Sequence, residues 1–459
     1  MNSAIFNQST PGVFCGPRSL HFPSRLKVRF LLTACCLIFL AVTVFLGIEM
    51  HVRNYLSAAI YALPTLAQGS LAGNTESTTD DPFEVYTISA ENITAKFIPY
   101  GARLTSVLVP DRSGNVQDVV MGYDDPKQYL IDTETSHTYF GAVVGRYANR
   151  IKNGTFTIDG VEYHVPENEN GGIDTLHGGF VGYDQRNWTV TAHTTSSVTF
   201  TLLDKGFESF PGDVITHATY TVDTKVTSEN PRGFPQLTSK LVSLALTEKT
   251  PIMLANHIYW NLNAYKESTV LNDTFLQLPL SHRLIAGDSI LIPNGTILEA
   301  ADSYGGSVDF TAGKLVGEHI EDTYGLCGDD CTGYDTCFLV DRPPWYPATP
   351  NTLVPVLRMN SSTTGISLEV STNQAALQIF TCDSQNGTIP IKPSQVKRNE
   401  ADGHGGTNYL NQYGCVVVET EGWIDGINNP QWGQLPQQVY SPEDGPAINW
   451  ATYKFGTIE

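Results

Sequence analysis

Positive charge is scarce in this chain: 27 Lys and Arg stand against 47 Asp and Glu, a net charge of −20, and no segment gathers the basic residues into a stripe. So acidic a chain has no electrostatic grip on a phosphate backbone, which excludes nucleic acid as a partner. Long amphipathic runs at helical spacing are also missing, which argues against architectures that alternate strands with crossover helices. No CxxC pair with zinc spacing occurs, so no cysteine-held structural metal is expected. Cysteine itself is sparse. Of eight, Cys15, Cys35 and Cys36 lie near the N-terminus, leaving Cys327, Cys331, Cys337, Cys382 and Cys415, an odd number that cannot all pair within one chain. Cys327 and Cys331 flank Gly-Asp-Asp and can close a small surface loop if oxidised. The other three sit in apolar, strand-like contexts and are expected as buried free thiols.

One apolar run is long enough to matter. Phe30 to Ile48 is uninterrupted for 19 residues, sufficient at 1.5 Å per residue to cross a hydrocarbon layer of ~30 Å. Arg18, Arg25, Lys27 and Arg29 precede it and only Arg53 follows soon after, so residues 1–29 are expected on the cytosolic side and 30–48 as a signal anchor. A second reading starts translation at Met50. His51 and Arg53 are then the charged end of a signal peptide over 50–67, and the first 49 residues are not part of the natural product. Both readings place the remainder in the secretory-pathway lumen or outside the cell, secreted or anchored, with membrane contact only through the N-terminal segment. Seven Asn-x-Ser/Thr triplets, at Asn92, Asn153, Asn187, Asn272, Asn294, Asn360 and Asn386, agree with that placement.

Residues 69–81 are rich in Gly, Ser, Thr and Asn and read as a linker. From 82 to 459 the dominant signal is period-two alternation, in Ile93 to Leu108, in Thr155 to Val165 with Asp159-Gly160 as its hairpin turn, and in Trp188 to Leu203. Turn residues recur every dozen or so positions and no fixed-period repeat is present. The expectation is one all-β domain, a large antiparallel β-sandwich.

Four segments carry groups suited to chemistry. GRYANRI, Gly145 to Ile151, follows an apolar stretch from Tyr139 to Val144 and offers two Arg and an Asn as fixed donors at a sheet rim, a suitable arrangement for hydroxyls or a carboxylate. In TLHGG, Thr175 to Gly179, the glycines after His177 let the backbone turn closely and leave the imidazole accessible. LANHIYWNL, Leu254 to Leu262, sets His257 beside an aromatic pair that either stacks on a sugar or fills the core. In VVVETEGWIDGIN, Val416 to Asn428, Glu419 emerges from an apolar β-run, where desolvation raises the basicity of a carboxylate.

Taken in this order, with GARLTSVLVPDRSGNVQDVVMGYDD before them and GYDTCFLV between, the motifs resemble the aldose 1-epimerases, or galactose mutarotases, from about residue 84 to 456. The resemblance implies the galactose mutarotase-like supersandwich fold and interconversion of the α and β anomers of free hexoses such as glucose or galactose. It implies no metal and no organic cofactor, a free monosaccharide as the small-molecule partner, and it fixes no oligomeric state. It makes His257 the general acid and Glu419 the general base, with His177 assisting at the ring oxygen. Asn149, Arg150, His177, Asp335 and Gln378 would hold sugar hydroxyls, with Gln374 close enough to leave the register of Gln378 open. The chain departs from the family at Glu421 and Ile424, where Gln and Pro are frequent. Glu421, two residues from Glu419, is expected on the opposite face of the strand. Extra residues around 229–236, 313–332 and 394–412 are expected as loop insertions.

Three other functions compete. A glycoside hydrolase needs two carboxylates, and Asp335 would be the second, which leaves His257 without a role. A non-catalytic sugar-binding protein needs no acid and base pair. A hexose-phosphate epimerase is disfavoured by the acidic balance.

Overall fold

The structure, a computed structural model, describes residues 81–342 and 352–459. These residues belong to one compact unit, Thr78–Glu459. The expectations placed on residues 1–80, including the apolar run 30–48 and the signal pattern 50–67, lie outside the described residues. Among the described residues no helix is long and apolar enough to cross a membrane.

Antiparallel strands dominate. The largest sheet has nine, ordered Thr189–His193, Ser197–Lys205, Asp213–Asp223, Gln236–Ala245, Ala447–Thr457, Ile366–Thr372, Val354–Ser361, Thr274–Gln277 and Lys314–Leu315. Asp213–Asp223 alternates strictly between buried and partly exposed residues, because one face packs inward and the other meets solvent. Against the inner face lie a four-stranded sheet, Tyr86 to Asp118, and a six-stranded sheet ordered Tyr259–Trp260, Val416–Glu421, Ala376–Phe380, Asp335–Leu339, Arg283–Gly287 and Pro293–Glu299. One continuous apolar core joins the layers. Phe97 stacks on Tyr220 at 4.5 Å between ring centroids, and Trp260 packs on Tyr453 and Phe455. Each such buried ring contributes roughly 1.5–3 kcal/mol by leaving water.

The expected all-β sandwich is therefore found, with differences in detail. Ile93 to Leu108 and Trp188 to Leu203 are not single strands but hairpins, because Pro99 to Ala102 and Thr194 to Ser196 turn the chain. Asp159 and Gly160 form the predicted two-residue turn, both at positive φ. Residues 394–412 are not a loop insertion throughout. Pro393–Ala401 is a helix, tied to the four-stranded sheet by Gln395 accepting from the Asp118 amide at 2.8 Å, next to a buried ion pair of Lys392 with Asp118 at 3.0 Å. Cys327 and Cys331 are bonded, as is a pair not expected: Cys382 and Cys415, Cα atoms 5.5 Å apart. Their strands are in register at Phe380 and Val417, and continuing that register two residues brings the sulfurs together. Only Cys337 is the buried free thiol anticipated for all three.

Val416–Glu421 positions the site. All six residues are buried, since the strand is covered on both faces. Val416 and Val418 enter the central core, and Thr420 meets Asn449 of the nine-stranded sheet at 3.2 Å. The alternate residues Val417, Glu419 and Glu421 face the other way, two of them with carboxylates.

Candidate active site

Glu419 stands at the centre of the site. Directly across from it in register is Gln378, whereas Gln374 donates to the Ile448 carbonyl at 2.8 Å. Gln378 donates to Asp335 Oδ1 on the next strand at 2.5 Å. Asp335, Gln378 and Arg150 line one pocket together with Leu284, Ile424 and Leu291. A much larger cavity of about 880 Å³, lined by Met253, Gly422, Tyr440 and Asn449 among others, contains none of the seven candidate residues.

His257 reaches Glu419 from the neighbouring segment, its Nε2 at 3.4 Å from Glu419 Oε1. The ring is held between Tyr139 and Tyr259, centroids 5.6 and 5.1 Å away, and His177 meets it edge-on at 5.2 Å. Tyr259 is fixed by a 2.5 Å hydrogen bond to the Thr138 carbonyl. The aromatic pair after His257 is thus scaffold. Trp260 is fully buried in the core, so neither it nor the buried Tyr259 offers a stacking face for a sugar.

The two Arg of GRYANRI divide. Arg146 is not at a rim: it is buried, paired with Asp204 at 2.7 Å and donating to the Pro211 and Gly212 carbonyls. Arg150 belongs to the site, where Glu169 holds it through two hydrogen bonds of 2.7 Å. The stretch before them is mostly irregular, with only Val143–Val144 in a strand. Tyr139, Asn149 and His177 all have left-handed backbones, with φ of 59°, 58° and 49°. Such conformations are uncommon outside glycine and gather where surrounding structure forces a side chain toward a site. Gly178 is required beside His177, since a Cβ there would lie 2.2 Å from the Gly145 carbonyl oxygen.

Glu421 is not on the opposite face. Residues i and i+2 of a strand share a face, and Asn149 Nδ2, close to Arg150, donates to Glu421 Oε1 at 3.0 Å. The second oxygens of both Glu419 and Glu421 have no hydrogen-bond partner among the described residues, nor does His257 Nδ1.

Burial dominates the ionisation of these groups. It lowers His257 to about 3 and takes His177 well below the usual imidazole range, with the neighbouring His257 adding to the effect. Burial also raises Glu419 well above the carboxylate range, helped by Glu421 and Asp335, and pushes Glu421 up to about 8. Burial thus disfavours the charged form of both His257 and Glu419.

His177, His257 and Glu419 also have the composition of a zinc set, with donor atoms all within 4.8 Å of one another. The tautomer of His177 opposes it. Its Nδ1 accepts the Asn149 amide at 3.1 Å, so the proton of the neutral ring is on Nε2, which is a hydrogen-bond donor and not a ligand.

All seven residues singled out in the sequence are thus linked by contacts into one cluster, with Arg150, Asp335 and Gln378 lining the pocket beside it. Missed were Tyr139, which packs on both His257 and His177, and Glu421, which the period-two rule applied correctly would have placed there.

A mostly antiparallel sandwich presenting a buried imidazole against a buried carboxylate, amid side-chain hydrogen-bond donors, is the arrangement of an acid–base enzyme. The comparisons give the family. The family model for aldose 1-epimerase matches residues 84–442. A probable aldose 1-epimerase of Arthroderma benhamiae is 60% identical over 82% of this chain and 87% of its own length, and the galactose mutarotase of Mus musculus is 31% identical over 76% and 88%. Among solved structures, a GalM/aldose epimerase homologue from C. elegans superposes with a TM-score of 0.65 at 25% identity, covering 82% of this chain and 99% of that one. The chain belongs to the aldose 1-epimerase family. It is an isomerase that interconverts sugar anomers, and the comparisons do not favour the hydrolase or binding-only alternatives.

Proposed function

We propose that this enzyme acts on free hexoses of the galactose and glucose type, with His257 and Glu419 as its paired proton-transfer groups. Opening a pyranose breaks the bond between C1 and the ring oxygen. A proton must leave the anomeric hydroxyl and another must reach the ring oxygen. Those two oxygens are bonded to the same carbon, so the groups serving them must be close neighbours. The 3.4 Å between His257 Nε2 and Glu419 Oε1 is the observation that carries the reading.

The pair shares one proton between two groups, the inventory that a step with one donor and one acceptor requires. Sugar hydroxyls bonding to Glu419 replace part of the lost water and favour its ionised form, moving the proton to His257. His257 then donates to the ring oxygen while Glu419 takes the anomeric proton. Rotation about C1–C2 presents the other face of the aldehyde, and closure with the transfers reversed gives the other anomer. His177, through its Nε2–H, assists at the ring oxygen. Asn149, Arg150, Asp335 and Gln378 hold the remaining hydroxyls.

Polarimetry on freshly dissolved α-D-galactose and α-D-glucose, with the region from about residue 70, tests the reading. The expected result is accelerated approach to the equilibrium rotation without added metal or cofactor. Rotation at the rate of buffer alone for both sugars would overturn it.

We also propose that the domain from 82 onward lies in the secretory lumen or outside the cell, behind an anchor at 30–48 or a signal peptide at 50–67. Two disulfides support this, as do six of the seven glycosylation triplets whose Asn is exposed, Asn360 being half-buried. Expression of the full chain in a secreting cell, followed by deglycosylation of the product, checks it. An unglycosylated cytosolic product would contradict it.

A further inference from the structure

The face of Val416–Glu421 that turns to the cleft carries more acid than its surroundings can neutralise. Glu419 and Glu421 sit side by side on it, both buried, and Asp335 faces them from the strand Asp335–Leu339. One cation is near, Arg150, but its Nε and Nη2 edge is occupied by Glu169, with Asp174 at 3.9 Å behind, and its Nη1 donates to Asn149 Oδ1 at 3.4 Å. The other groups facing Glu421 are uncharged at neutral pH: Asn149, which donates to its Oε1, the phenol of Tyr147 and the buried thiol of Cys337. On the far side of Glu419, His257 and His177 are kept neutral by burial. Two adjacent carboxylates in such a place do not both ionise, because the second charge has neither water nor an uncommitted cation.

We infer that Glu421 works as a neutral carboxylic acid, a positioning residue whose proton leaves the face free for the single working charge of Glu419. Its Oε1 accepts from Asn149 while the other oxygen, which has no partner among the described residues, carries the proton. When Glu421 loses that proton, its charge holds the remaining proton on Glu419 and removes the base. Ionisation of Glu421 therefore sets the alkaline limit of the enzyme, in the region of pH 8 where burial places it. The two groups titrate as a coupled pair, so the limit is a property of both.

This inference rests on the proposed roles of His257 and Glu419, and the experiment separates the two. The pH dependence of kcat/KM for anomer exchange is measured for the wild type and for Glu421→Gln, which keeps an oxygen for Asn149 to donate to but cannot ionise. The expected result is a wild-type profile that falls on the alkaline side, and a variant whose fall is displaced upward by at least one pH unit. Superimposable alkaline limbs would overturn the inference, as would a loss at every pH as large as that of Glu419→Gln. A readout independent of turnover is infrared difference spectroscopy of the full-length protein titrated from pH 6 to 10. The wild type is expected to lose a protonated-carboxyl band that the Glu421→Gln variant lacks, and a band of equal size in both would overturn the inference. Absence of any exchange activity in the wild type would count against the proposed function instead, with the infrared result still deciding the state of Glu421.

Discussion

Gln378 lies directly across from Glu419 on adjacent antiparallel strands, and the same register carried past Phe380 and Val417 joins Cys382 to Cys415. The bond is therefore a clamp on the end of the two strands that present Glu419 and Gln378. It closes a loop with a sequence separation of 33. A loop of that size restricts the unfolded chain enough to stabilise the fold by about 3–4 kcal/mol. The double substitution of Cys382 and Cys415 by Ser is expected to lower the urea midpoint accordingly. In the region after residue 81, alkylation in denaturant without reductant should label Cys337 alone. Labelling of Cys382 and Cys415 under those conditions would rule the bond out.

Arg150, proposed to hold a sugar hydroxyl, is also tied into the structure. Its bidentate contact with Glu169 means that removing it leaves Glu169, the buried Asp174 and Asp335 short of their shared cation. Arg150→Met is expected to raise KM for the sugar and to destabilise the fold by about 3–5 kcal/mol, the usual cost of breaking a buried pair from one side. Paired kinetics and denaturant titration check both effects. A variant with unchanged KM would place Arg150 outside the sugar site.

Stability should have its optimum in acid, near the pKa values that carboxyls have in the unfolded chain. Burial raises Glu421 and Asp383 to about 8 and Asp425 to about 7. A carboxyl whose pKa is higher folded than unfolded contributes stability that is present below the unfolded value and lost as pH rises through the folded one. His257, lowered to about 3, contributes stability that is lost as pH falls from about 6.5 toward that value. Three raised carboxyls outweigh one lowered imidazole above the unfolded carboxyl values, so thermal unfolding is expected to peak at about pH 4 and to fall toward pH 9. Glu421→Gln should flatten the alkaline fall by a few kcal/mol at most. A Tm that stays constant from pH 6 to 9 in the wild type would contradict the burial of these carboxyls.

The site was legible in the sequence to the extent that its residues lie in short motifs. Glu419 stands at the end of an apolar run, and His177 sits before two glycines. Alternation along the strands disclosed the sandwich, because burial on one face writes a period of two into the chain. What was not legible depends on residues far apart in sequence. Nothing local to Cys382 or Cys415 shows that two strands place them opposite each other. Likewise nothing in GRYANRI separates Arg146, which pairs with Asp204 inside the fold, from Arg150, which turns to the cleft. Left-handed backbones at Tyr139 and Asn149 aim those side chains in a way that periodicity does not predict. Glu421 is a different case. Its position followed from strand geometry alone, and the opposite-face expectation misapplied the rule.

The most direct test of the account is a double-mutant cycle on His257 and Glu419, with anomer exchange of galactose followed by NMR. His257→Asn and Glu419→Gln are each expected to lose about 10²–10⁴-fold in rate while retaining sugar binding. The double variant should lose little more than the worse single one, since each group depends on the other to complete the proton exchange. Losses that multiply, or near-normal turnover in Glu419→Gln, would contradict it.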